Sequence, residues 1–220
     1  GGRGDGLPIA ARAAILAADG GTTMTLFDFT FGLSAVILGL ALAQMASSLH
    51  RLAMAGGRVK WAPEPLLLAV LVFLVIVSVW LYQWDERLRT STTIGLVLLN
   101  VLKLLFPYLA AAFVLPEQPQ AEGEVDLYAH YDRTRPFTYG AMICGLILFW
   151  LTGLIGWVVR VLIPQNRPFP WLDALADGPW VVVALYGALI WIRNRWVHRL
   201  ALVGAVGWYG WSIAGISLTQ

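Results

Sequence analysis

Charge is scarce in this chain. Asp, Glu, Lys and Arg make up 13% of its 220 residues, against roughly 25% in soluble domains. Hydrophobic residues make up 59%, and mean hydropathy is +0.71. Such a balance leaves no room for a soluble domain of useful size. Cysteine is almost missing. The single Cys144 lies inside an apolar run, which rules out an intramolecular disulfide or a cysteine metal cluster, and it reads as a small packing residue. The basic residues gather into no patch for nucleic acid. No phosphate-binding glycine loop, H-E-x-x-H or G-x-S-x-G occurs. The histidines, His50, His130 and His198, all fall near the ends of apolar runs, whereas a haem b site wants histidines within facing spans. A metal site drawn from all three with loop carboxylates is geometrically possible. Three separate interfacial histidines is the reading adopted, with no metal, no cofactor and no assigned catalytic residue.

What the chain has instead is a series of apolar runs that approach or exceed about 18 residues, the signature of membrane helices. The expected fold is all-α: a polytopic membrane helical bundle of six transmembrane helices. The spans fall at about 27–49, 65–84, 93–115, 137–160, 175–192 and 196–217, in a single membrane domain over 24–220. Residues 1–23 are Gly/Ala-rich, with an apolar run too short to span. They read as a disordered arm or as translated upstream sequence, with Met24 as the natural start.

Small residues and aromatics give each span an expected role. In the first, Gly39, Ala43 and Ser47 form a small-xxx-small ridge for close helix contact, and Gln44 is placed to bond across helices. The second, PLLLAVLVFLVIVSVWLYQW, is so uniformly apolar that lipid is expected over much of its surface, with Trp80 and Trp84 at an interface. In the fourth, Gly140, Ala141, Cys144 and Gly145 offer small-residue contacts. The fifth starts at Asp177-Gly178-Pro179, a cap followed by proline. The sixth mixes Gly204, Gly207 and Gly210 with Trp208 and Trp211 and reads as a centrally packed helix.

The costliest residue is Lys103, in the middle of the third span. It lies roughly 15 Å from either interface, and placing it there costs about 2.5–3.5 kcal/mol on insertion scales. Asn100 and Pro107, at i−3 and i+4, share its helix face. Pro107 lacks an N–H and leaves the Lys103 carbonyl without its helical partner. An ammonium, an amide and a freed carbonyl on one face point that face into the bundle or a wet cavity. No carboxylate lies at matching depth in another span; Asp28 and Asp177 sit near span ends. Three readings stay open: a packing lysine, a site for an anionic solute or proton, and a contact with a partner subunit.

A second cluster lies in VDLYAHYDRTRPF (125–137), where Asp126, His130, Arg133 and Arg135 precede the fourth span. Asp126 is placed to cap a surface helix, on which Tyr128, Tyr131 and Arg135 share a face. Pro136 is expected to end or redirect that helix. The arginines suit a headgroup or phosphate, or else simply meet anionic lipid.

Alternating loops sort the basic residues. Arg51, Arg58, Lys60, Arg133, Arg135, Arg193, Arg195 and Arg199 fall on one side, and Arg87, Arg89, Arg160 and Arg167 on the other. Counted from Met24, eight against four places the first group in the cytoplasm and both termini outside; residues 1–23 would add Arg3 and Arg12 to the outer side and narrow the difference.

MTLFDFTFGLSAVILGLALAQ, LLFPYLAAAFVLPE and VDLYAHYDRTRPF together resemble an uncharacterised family of small six-span bacterial inner-membrane proteins. In that family Leu-Phe-Asp opens the first span, and Leu-Pro-Glu closes the third. Val-Asp-Leu, a tyrosine pair and an arginine then precede the fourth. The likeness covers roughly 24–160, and His130 stands where the first tyrosine of the pair is expected. It implies a bacterial inner membrane and Met24 as the start, and it implies no activity.

The chain is therefore expected to be an accessory or sensing inner-membrane protein, with membrane lipids and a homo-oligomer or partner subunit as its contacts. One alternative is a small transporter or channel-like protein built on Asn100, Lys103 and Pro107. Another is a membrane-embedded lipid-modifying enzyme using His130 and its flanking charges.

Overall fold

The structure, a computed structural model, describes residues 26–85, 94–117, 124–159, 176 and 178–215. Six α-helices occur among them: α1 (Leu26–Ala55), α2 (Pro63–Asp85), α3 (Ile94–Val114), α4 (Leu127–Trp157), α5 (Trp180–Trp191) and α6 (Arg195–Ala214). The chain is all-α apart from two short strands, β1 (Val59–Lys60) and β2 (Val125–Asp126), which pair in parallel. Helices α1 to α4 are each long and apolar enough to cross a membrane. With 12 residues, α5 rises about 18 Å, short of a hydrocarbon core about 30 Å thick. Residues 172–175 and Asp177, which would lengthen it, lie outside the described residues, as do the connections at 86–93 and 160–175.

Helix α3 packs along α4 on one side and α1 on the other. Helix α2 packs against α6, α3, α1 and α4, and α5 lies on α4. This arrangement reverses the role expected of α6, and it makes α2 central although Val70, Phe73, Trp80 and Tyr82 leave much of its surface exposed. The aliphatic α2 is the central helix: Leu68, Leu71, Val72 and Ile76 are almost completely buried. The Gly/Trp-rich α6 is peripheral, with Trp208 and Trp211 72% and 81% exposed. Lipid tails are as apolar as leucine, so uniform hydrophobicity marks neither a lipid face nor a core. The Gly39/Ala43/Ser47 ridge is likewise exposed; α1 buries Ser34, Leu38, Ala41, Met45, Ser48 and Leu52 instead. Cys144 is exposed and does not serve as a packing residue.

Helix boundaries also differ from expectation at one end. Helix α1 continues to Ala55, and α4 runs unbroken from Leu127 through Pro136 to Trp157. A separate surface helix ended by Pro136 is not formed. Proline removes one helical donor, but the flanking turns hold: Thr134 donates to the His130 carbonyl and Thr138 to the Thr134 carbonyl. Packing neighbours make such a proline tolerable in a membrane helix. Gly56, at φ +53°, takes the left-handed turn out of α1 that favours glycine.

Where α3 packs on α4, a Cβ on Gly145 would lie 3.0 Å from Phe106 Cβ and 3.7 Å from Pro107 Cδ. Neither atom is the end of a flexible chain, so the helices would have to separate. A Cβ on Gly140 would meet nothing within 4 Å. Gly145→Ala should therefore destabilise by about 1–3 kcal/mol through overpacking. Gly140→Ala should be neutral or gain about 1 kcal/mol of helix propensity. Thermal unfolding of the two variants in one detergent tests the contrast.

Candidate functional site

The α1–α2, α3–α4 and α5–α6 connections converge on one end of the bundle, and their polar side chains tie the helices together there. The parallel strand pair aligns Val59 with Val125 and Lys60 with Asp126, and the Lys60 ammonium meets Glu124 at 2.8 Å. That hydrogen bond raises the Lys60 pKa above the usual lysine value of 10.5. The lysine's contribution to the pair is thus fully present below that value and is lost only as pH climbs through the raised one. Gln44 of α1 donates to Glu117 Oε1 at 3.0 Å, and Arg51 donates to the Glu117 carbonyl at 2.7 Å. Residue 117 follows the last turn of α3, so these two bonds fasten α1 to the end of that helix.

Deeper in this layer Glu64, in the first turn of α2, is 1% exposed. Arg199 of α6 donates through Nε to Glu64 Oε1 at 2.8 Å. Glu64 Oε2 is buried and has no hydrogen-bond partner. A carboxylate is favoured at a helix N-terminus, but at this depth it needs a cation as well. The α6 helix supplies it, 135 residues further along the chain.

His198, the neighbour of Arg199, is also 1% exposed. Its Nε2 lies 2.8 Å from the Ile192 carbonyl, just past the end of α5. A carbonyl only accepts, so Nε2 carries the proton and Nδ1 is the acceptor. Tyr131 of α4 donates to Nδ1 at 2.7 Å, and its oxygen accepts from the Tyr139 hydroxyl at 3.1 Å. A directional chain therefore runs from Tyr139 through Tyr131 and His198 to the end of α5. Arg135 donates to the same Ile192 carbonyl at 3.1 Å and lies 3.7 Å from Asp132. Tyr139 packs on Tyr186 of α5, ring centroids 5.8 Å apart. The buried Tyr186 hydroxyl makes no hydrogen bond of good geometry, although Tyr209 of α6 approaches it.

The residues singled out at 126–135 do not form one open cluster. Asp126 caps α4, accepting from the Tyr128 and Ala129 amides at 2.8 and 3.1 Å. His130 bonds the Phe113 carbonyl at 3.1 Å and so closes the end of α3. Arg133 is exposed, and Arg135 turns inward to α5. The three histidines stay apart in role: His50 is exposed on α1, His130 holds α3, and His198 holds α5. Among the described residues no group of three or more His, Cys, Asp or Glu side chains is placed to hold a metal.

Lys103 is buried on the inward stripe of α3, together with Leu104, Pro107, Ala110 and Ala111. Its ammonium sits 4.7 Å from the centroid of Phe149 in α4 and 6.0 Å from that of Tyr82 in α2, two rings that meet edge to face. A desolvated cation over an aromatic face gains on the order of 2 kcal/mol, close to the insertion cost. Asn100 Oδ1, one turn away, is buried without a hydrogen-bond partner. Pro107 contributes packing at the Gly145 crossing.

Neither a protein-family model nor a curated protein nor a solved structure matches the chain.

Sequence reading missed Glu64, Arg199, Tyr131 and Tyr139 as one layer. A glutamate between two prolines at a helix start is unremarkable, and nothing in the chain's order signals a partner so distant. Arg199→Met would leave the Glu64 charge buried without its cation. It should lower the melting temperature by roughly 5 °C or more. Glu64→Gln added to Arg199→Met should recover part of that loss, because the two positions are coupled. A double-mutant cycle in thermal unfolding reads both effects.

Proposed function

We propose that this chain is a six-span protein of a bacterial inner membrane, with both termini on the periplasmic side and an accessory or sensing role. The family likeness at 24–160 supports the membrane assigned. The observation that carries the role is how the polar side chains are used. His130, Arg135 and the Glu64–Arg199 pair each hold one helix end to another, in the layer where most of the assigned basic residues lie, and Asp126 caps α4 in the same layer. A protein whose polar groups join the helices at one face is suited to passing a change at that face to a partner subunit or to a second copy of itself.

Asn100 favours a second reading. A buried amide oxygen without a partner, one turn from a buried lysine, suits a small transporter or channel-like protein for an anionic solute or protons. Lys103→Met separates the two. Under the accessory reading it leaves the melting temperature unchanged or slightly raised, and native mass spectrometry finds no bound solute that the variant loses. Loss of a co-purifying small anion from the variant alone would favour transport. A lipid-modifying enzyme would require His130 turnover, and His130→Ala should instead weaken only the α3–α4 junction.

The topology has its own test. In a Cys144→Ser background, Met54→Cys and Arg193→Cys should both react with an impermeant thiol reagent only from the cytoplasmic face. Labelling of either from the periplasm would reverse the orientation.

A further inference from the structure

We infer that His198 is a proton-sensitive clasp that holds the α5–α6 hairpin to α4. The inference rests on the sensing reading for its biological meaning, but the clasp is measurable by itself. Imidazole is the side chain whose charge ordinarily changes between about pH 5 and 8. Here the ring is buried and joins three elements: Nε2 donates to the end of α5, Nδ1 accepts from Tyr131 of α4, and the backbone belongs to α6. That geometry uses the neutral ring. Protonating Nδ1 turns an acceptor into a donor, so the Tyr131 hydroxyl must reverse and give its proton to Tyr139. The Tyr139 hydroxyl is buried, and reversal deprives it of the Tyr131 oxygen to which it donates.

The charged groups around the ring are engaged with one another. Arg135 Nη1 of α4 lies 3.5 Å from Nε2 and competes for the same Ile192 carbonyl. Asp132 accompanies Arg135 at 3.7 Å, and Glu64 of α2 is engaged by Arg199 of α6. Arg195 of α6 stacks on Tyr128 of α4, 4.4 Å from the ring centroid, at the outer edge of the layer. The remaining ionisable neighbours, Tyr131, Tyr139, Tyr186 and Tyr209, are neutral phenols at these pH values. Arg135 with Asp132 and Arg199 with Glu64 balance, so a proton on His198 adds one uncompensated positive charge beside a guanidinium. An uncompensated buried charge is costly, and the hairpin relieves it by parting from α4 and admitting water. A neutral clasp shuts at pH 8 and opens toward pH 5.

The experiment uses the full chain in lipid nanodiscs, with Cys144→Ser and spin labels at Ala129→Cys on α4 and Arg193→Cys in the α5–α6 connection. Pulsed electron-paramagnetic distances should show one short population at pH 8. A longer population should grow at least threefold by pH 5. His198→Asn places an amide oxygen near the Nδ1 position and does not titrate, so its distribution should be the same at both pH values. Tyr131→Phe removes the donor to Nδ1 and should show the longer population already at pH 8. A wild-type distribution that does not change with pH overturns the proposal, and so does a pH response that survives in His198→Asn. Should His198→Asn fail to fold, the wild-type and Tyr131→Phe distributions still decide it. Neither result bears on Lys103 or on the orientation in the membrane, so failure of the clasp and failure of the functional reading are separable.

Discussion

Glu64 is buried at the head of α2, and the bundle's arrangement follows from the cation it needs. Lys60, the basic residue nearest to it in sequence, pairs with Glu124, and Arg199 of α6 serves Glu64 instead. Satisfying that carboxylate holds α6 alongside α2. With α6 on one flank and α1, α3 and α4 on the others, α2 becomes the central helix. His198 is carried to Tyr131 by the same placement, since it precedes Arg199 by one residue. The α5–α6 hairpin is thus attached to the rest of the bundle by the packing of α6 on α2 and of α5 on α4, and by polar contacts at one end.

Lys103 is settled by different means. Its ammonium rests on Phe149, beside Tyr82. Aromatic faces offer a cation electrostatic attraction without adding charge of their own. The end layer uses ion pairs and directional hydrogen bonds, while the interior uses rings. In both places a charge removed from water needs a compensating partner, since an isolated buried charge is costly.

Much of the architecture was legible from hydropathy. Helices α2 and α3 and the start of α6 fall within about two residues of the expected spans, since an apolar run of that length has few other stable forms in lipid. Asp126 as the cap of α4 and Gln44 as a cross-helix bond were also readable, because each depends on residue type at a local position. Pro136 was misjudged: proline removes one helical donor, but α4 continues through it, with Thr134 and Thr138 bonding carbonyls one turn back on either side.

Local sequence determined which segments are helical, the inward direction of the Lys103 face, and the grouping of basic residues on alternate connections. Those properties depend on periodicity, length and charge placement, all of which are written along one dimension. Tertiary structure decided which helix is central, that the Gly39 ridge faces outward, and that Glu64, Arg199, His198 and Tyr131 meet. In a membrane both lipid and core are apolar, so hydrophobicity does not rank one helix face above another. Only the pairing of buried polar groups across distant helices does, and that pairing exists only once the chain is folded.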